Sequence, residues 1–113
     1  MDAITFEKLR DVEARLAGVE ERMQDPQVTQ DPPAYQKLAR EAKELTPVVE
    51  RYRTFKRELE EIAKVQEMAR AESDAELREM AHEELRGLEQ QRDALDAEIP
   101  VLLLPKDPND EKN

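Results

Sequence analysis

Apolar residues recur along this chain at helical spacing. Leu9, Val12, Leu16, Val19 and Met23 follow one another at steps of three and four, which lays a narrow apolar stripe along one side of a helix and predicts that helix over about Thr5 to Gln24. Asp25-Pro26 ends it, because proline disfavours the helical conformation in the residue before it. After a loop of about eight residues, Asp31 is placed to cap a second helix. Pro32 and Pro33 are tolerated in the first turn of that helix, where their missing amides have no intrahelical partner.

From Tyr35 the apolar positions run Leu38, Ala42, Leu45, Val49, Tyr52, Phe55, Leu59, Ile62 and then Val65 or Ala69, helical throughout. Pro47 interrupts them and predicts a break or sharp kink at 46–47, with Thr46 capping the piece that follows. Ser73-Asp74-Ala75-Glu76 matches the S-x-x-E capping box, so a third helix begins at about Asp74. It continues through Leu77, Ala81, Leu85, Leu88, Leu95 and Ile99 and is expected to stop at Pro100.

With almost no loop between them, the second and third helices must fold back antiparallel. A turn near Ser73 sets Ala69 against Leu77, Val65 against Ala81, Leu59 against Leu88, Tyr52 against Leu95 and Val48 against Ile99, apolar on apolar along one continuous seam. The first helix must bury its own stripe along this hairpin. The expected fold is therefore all-α: an antiparallel hairpin of long helices with an additional N-terminal helix, either a three-helix bundle or coiled-coil-like. Residues 1–100 form the helical domain. Residues 101–113, with the apolar run Val101-Leu102-Leu103-Leu104 between prolines and a polar ending, read as a short extended linker and the start of a following domain absent from this chain.

Composition agrees and narrows the chemistry. Ala, Glu, Lys, Leu and Arg supply more than half of the 113 residues, as in long helices, and only 4% are aromatic. Two glycines, one serine, one histidine and no cysteine exclude a phosphate-cradling Gly-rich loop, a thiol or Ser/His nucleophile pair and a Cys/His zinc site. The expectation is a protein that is not an enzyme and uses no cofactor. No stretch is long and apolar enough for a signal peptide or membrane span, which, with the missing cysteines, points to a cytoplasmic chain without a membrane partner.

The net charge of −10 argues against general affinity for DNA or RNA phosphates. It hides an asymmetry. Residues 33–57 hold seven basic side chains against three acidic ones, a +4 segment on a body of −14. Within it Arg51, Arg53, Lys56 and Arg57 form the candidate contact cluster, with positions 53, 56 and 57 on one helix face beside the apolar stripe. Such a patch suits an RNA backbone or an acidic protein surface. The plainer reading is that these cations balance an acidic neighbouring helix.

Other chemistry is thin. Glu79-Met80-Ala81-His82 has the E-x-x-H spacing of di-iron bundles, but such a site needs a second histidine, and His82 reads as solvated. The pairs Glu20-Glu21, Glu60-Glu61 and Glu83-Glu84 point about 100 degrees apart on a helix and read as hydrated faces with intrahelical ion pairs, not acid/base dyads. Tyr52 and Phe55 lie on the apolar stripe and read as core, not as stacking platforms for bases; Tyr35 stands at a helix start, pinning the loop before it.

The carboxyl end narrows the reading. Leu102-Leu103-Leu104-Pro105-Lys106-Asp107-Pro108-Asn109-Asp110-Glu111-Lys112-Asn113 closely resembles the segment by which bacterial class I peptide chain release factors pass from their N-terminal helical domain into the next domain, in the type that reads UAA and UAG. Tyr35-Gln36-Lys37-Leu38-Ala39, Glu44-Leu45-Thr46-Pro47-Val48-Val49-Glu50, Glu76-Leu77-Arg78-Glu79-Met80-Ala81 and Glu83-Glu84-Leu85 fit the same family in its order and spacing. The resemblance spans residues 4–113, and the helical arm of seryl-tRNA synthetases, a similar hairpin, lacks this tail.

The resemblance implies a domain that faces outward on the ribosome, near the GTPase-associated centre and its stalk base of protein and RNA. It also implies a part in the interplay with the GTPase release factor and attachment to the missing C-terminal domains. The Gly-Gly-Gln loop and the stop-codon tripeptide of the family have no counterpart here. Arg51, Arg53, Lys56 and Arg57 are then the expected part of the ribosome-facing surface. The competing reading is a structural coiled-coil interaction module that dimerises through its stripes. An open hairpin also invites exchange of helix one, so a dimer of the isolated fragment is compatible with either.

Overall fold

The computed structural model describes residues 1–105, so the polar end of the expected tail, 106–113, lies outside the described residues. Four helices follow one another: α1 over Ala3–Arg22, α2 over Pro26–Thr29, α3 over Pro32–Ala71 and α4 over Ala75–Leu102. No strand occurs among the described residues. The expected all-α hairpin with an added N-terminal helix is the observed architecture. Its long axis follows α3, whose 40 residues span about 60 Å at 1.5 Å each, in a molecule of 63 × 34 × 25 Å.

Each helix start is capped by an aspartate in extended conformation. Asp2 accepts from the Thr5 amide at 2.7 Å, Asp25 from Gln27 at 2.9 Å and Asp31 from Ala34 at 3.3 Å. The hydrogen bonds to Thr5 hold the Asp2 carboxyl below the usual carboxylate range. Between α1 and α3 the sequence suggested only a loop, but Asp25 and Pro26 together start one further turn, α2. At the hairpin turn the cap is Asp74, not the Ser73 of the expected capping box: Asp74 accepts from Glu76 at 2.9 Å and Leu77 at 3.4 Å. Glu72 in turn accepts from the Asp74 amide at 3.0 Å. A carboxylate is the stronger acceptor for amides at a positive helix end, which explains why the shorter spacing prevails.

Pro47 and Pro100 both lie inside helices. α3 runs from Pro32 to Ala71 with Pro47 inside it, at the position where a kink or break is expected and where proline interrupts the ladder of helical hydrogen bonds. Pro47 and Lys43 are exposed, so the Lys43 carbonyl that loses its amide partner can be served by water, and the Thr46 hydroxyl donates to the Ala42 carbonyl at 2.6 Å. Immediately beyond, Val48 and Val49 are buried and hold the second half of the helix in the core. α4 likewise passes through Pro100 and ends at Leu102, moving Val101 and Leu102 from the expected extended linker into the helix. Ile99, fully buried, anchors this last turn.

The core is concentrated at the base of the hairpin. Leu9 of α1, Val48, Tyr52 and Phe55 of α3 and Ile99 of α4 form one buried cluster, joined by the partly buried Phe6, Val12, Leu59, Leu95 and Leu103. Phe6 meets Tyr52 edge-on at 6.4 Å and Phe55 at 5.9 Å, so both expected core aromatics are core. α1 carries on along the N-terminal half of α3, burying Leu16 and Val19 while α3 buries Leu38. Toward the tip the molecule is two helices thick. Ile62, Val65 and Ala69 are buried there, but Leu77 is 50% exposed, so the predicted seam opens before it reaches the turn. Two helices without a third cannot cover both sides of a shared stripe.

Candidate functional site

The four candidate cations lie on the middle of α3 and are directed to different neighbours. Arg51 donates through Nε to Glu98 of α4 at 3.0 Å. Arg53 donates through Nε to Glu13 of α1 at 2.9 Å, and Lys56 Nζ lies 3.7 Å from the other oxygen of the same carboxylate. Lys56 also stands 4.3 Å over the Tyr52 ring, so its charge caps the aromatic core from outside. Arg57 donates to Thr54 Oγ1 at 3.1 Å. The structure brings Arg53 and Lys56 together and turns Arg51 and Arg57 away from them. Balance against neighbouring acidic helices, the plainer of the two sequence readings, accounts for three of the four. Their side chains nonetheless keep about half their surface in solvent, 48% for Arg51, 57% for Arg53 and 42% for Lys56.

A second cationic cluster joins α1 to the start of α3. Arg15 clasps Glu41 with both nitrogens of its fork, Nη2 to Oε2 at 2.9 Å, and Arg22 and Lys37 flank the same carboxylate in a hollow of about 280 Å³. The Arg15 hydrogen bond, with smaller contributions from Lys37 and Arg22, holds the Glu41 carboxyl below its ordinary range and raises the Arg15 guanidinium in turn. Periodicity could not find this pair, because Arg15 and Glu41 are 26 residues apart and meet only once α1 lies against α3.

The remaining candidates fall where surface chemistry puts them. Glu20, Glu21, Glu60, Glu61, Glu83 and Glu84 are all exposed. His82 is exposed as well, and among the described residues no three His, Cys, Asp or Glu side chains gather in a way that could hold a metal ion. No described helix is long and apolar enough to cross a membrane. Sequence reasoning missed the two sides of the hairpin tip. One exposes Met68, Leu77 and Met80 beside Glu72 and Glu84. The other is a groove lined by Gln66, Ala69, Arg70, Arg78, His82 and Leu85, whose signal was the seven-residue step from Arg78 to Leu85.

Comparison with known proteins gives this geometry a setting. The chain is 44% identical over 108 residues to peptide chain release factor 1 of Geobacter sulfurreducens and 45% identical to that of Geotalea uraniireducens. It is 44% identical to the same factor of Acidobacterium capsulatum. Each comparison covers 96% of this chain and 30% of the relative, so the chain spans under a third of the length of these proteins. No solved structure gives a significant match. The PCRF domain matches residues 12–113, nearly the whole chain, which bears out the resemblance read from its sequence: the protein belongs to the PCRF-domain family, as the N-terminal helical domain of a release factor.

Proposed function

We propose that this chain works in translation termination as a ribosome-binding domain of a class I release factor in the cytoplasm. It contacts the ribosome near the GTPase-associated centre, at the protein and RNA of the stalk base, and takes part in the interplay with the GTPase release factor. Stop-codon reading and peptide release belong to the C-terminal domains that follow, and this domain carries out no catalysis of its own. The observation that carries the reading is identity of 36–45% across 96% of the chain to proteins named peptide chain release factor 1. The fold supports it, since a helical rod 63 Å long offers extended surface for partners.

Arg51, Arg53, Lys56 and Arg57 are the proposed contact residues. Three of them are anchored by carboxylates of α1 and α4, so they present charge from fixed positions, which lowers the entropy lost on binding. The test is made in the full-length factor with Arg57→Glu, and with Arg53→Glu paired to Glu13→Arg so that the α1–α3 ion pair survives in reverse. Weaker ribosome affinity and slower factor recycling are expected. Unchanged values for both variants would overturn the assignment of these residues.

A further inference from the structure

The two long helices leave a groove along the side on which α1 lies. At the base α1 fills it: Phe6 meets Tyr52 and Phe55, and Met1 and Phe6 line a hollow with Leu59, Arg92 and Asp96. Steps of seven residues return to nearly the same helix face. On α3 they lead from Tyr52 to Leu59 to Gln66, and on α4 from Arg92 to Leu85 to Arg78. The groove therefore continues beyond α1 toward the tip, and there it is open, about 520 Å³. Its floor is apolar, with Ala69 buried and Leu85 partly buried. Its walls carry Arg70 from α3 and Arg78 and His82 from α4.

The charges of this stretch are sorted by side. At 100 degrees per residue, Glu76, Glu79 and Glu83 fall on the outer face of α4, and Glu60 and Glu67 on that of α3, away from the groove, while Glu89, one seven-residue step from His82, stands at the inner end of the groove toward α1. Among the described residues, Arg70 pairs with its own-helix neighbour Glu67 at 3.5 Å. Among the described residues, Arg78 and His82 have no ion-pair or hydrogen-bond partner for their side chains.

We propose that this open groove is a docking site for an acidic amphipathic helix of a partner protein. The fold contains its own precedent. α1 occupies the same groove by laying Phe6 and Leu9 on the core and giving the Glu13 carboxylate to Arg53 and Lys56. A helix entering in line with α1 repeats that chemistry, with apolar residues on Ala69 and Leu85 and carboxylates toward Arg70 and Arg78. Residues 78–85 offer about 10 Å of α4, roughly two helical turns, so the contact is short and its affinity modest. A nucleic-acid strand fits less well, because the lining offers a single ring, the His82 imidazole, and no Phe, Tyr or Trp on which successive bases could stack.

The test titrates the isotope-labelled chain with a synthetic helical peptide of roughly 18 residues, leucine at i, i+3, i+4 and i+7 and glutamate elsewhere. Amide shifts are expected at Gln66, Arg70, Arg78, His82 and Leu85, with binding weakened by added salt and reduced about tenfold or more by Arg70→Glu with Arg78→Glu. Both arginines are exposed, so the variant should keep its helical circular dichroism, which is checked first. The proposal is overturned by no binding, by shifts confined to the Met68, Leu77 and Met80 side, or by equal affinity in the variant. It is equally overturned if the groove prefers a single-stranded RNA oligonucleotide, or if the same amides shift with chain concentration alone, which would make a second copy the occupant.

Discussion

Replacing Leu9 by alanine tests whether α1 is part of one core or merely lies on a hairpin that stands without it. Leu9 is 1% exposed and sits where three helices meet, against Val48, Tyr52, Phe55 and Ile99. Deleting a fully buried leucine costs about 2–5 kcal/mol, the spread depending on how far the walls relax. Here the walls are two aromatic rings and a buried isoleucine shared with α4, which relax little, so a loss of about 3 kcal/mol is expected. A domain of this size has about 5–15 kcal/mol in total, and a core confined to one end puts it in the lower part of that range. Melting followed by circular dichroism should then fall by about 10–20 °C. Leu77→Ala, at a site 50% exposed, should change stability by no more than about 0.5 kcal/mol. Hydrogen exchange locates the damage, with amides of α1 losing protection before those of α3 near Ile62 and Val65. If Leu9→Ala costs no more than Leu77→Ala, or α1 exchanges freely already in the parent chain, the shared core is wrong.

Three further outcomes follow from local geometry. Asp74→Ala should destabilise by about 0.5–2 kcal/mol in urea unfolding while Ser73→Ala changes little; the reverse order would restore the capping box. Pro47→Ala should stabilise the chain, by up to about 3 kcal/mol in the same assay, because it returns an amide to the helix; a loss of stability would mean that the docking of α3 depends on the backbone shape the proline imposes. Glu41, whose folded carboxyl lies below its ordinary 4.5, contributes stability that is present above that value and lost as pH falls through the lower folded value. Glu41→Gln should therefore flatten the acid side of the stability profile, and an unchanged profile would show that the Arg15 pair does not persist in solution.

The three long helices were legible because one apolar stripe at steps of three and four suffices to mark each of them, and the hairpin because so few residues separate Ala71 from Ala75; the single turn of α2 carries no such stripe. Helical structure carries on past Pro47 and Pro100 for a common reason. Local rules price the missing amide but do not see Val49 and Ile99, fully buried beside them, which hold the helix in place. The cation cluster was legible as a set and not as an arrangement. Arg53 and Glu13 are 40 residues apart, Arg51 and Glu98 are 47 apart, and neither pair exists until α1 and α4 are docked. The open groove escaped for the complementary reason: what makes it a groove is where α1 stops.

The unbroken run of α3 beyond Pro47 makes the domain a lever. From the base near Val48 to the tip at Ala71 the rod is about 35 Å long, so a tilt of roughly ten degrees at the base sweeps the tip through about 6 Å, and a load at the tip returns to the base as torque. The ion pairs of Arg51 with Glu98 and of Arg53 and Lys56 with Glu13 straddle the rod near its fulcrum. A displacement of the turn between α3 and α4 is thus carried to the three-helix base without a joint to absorb it.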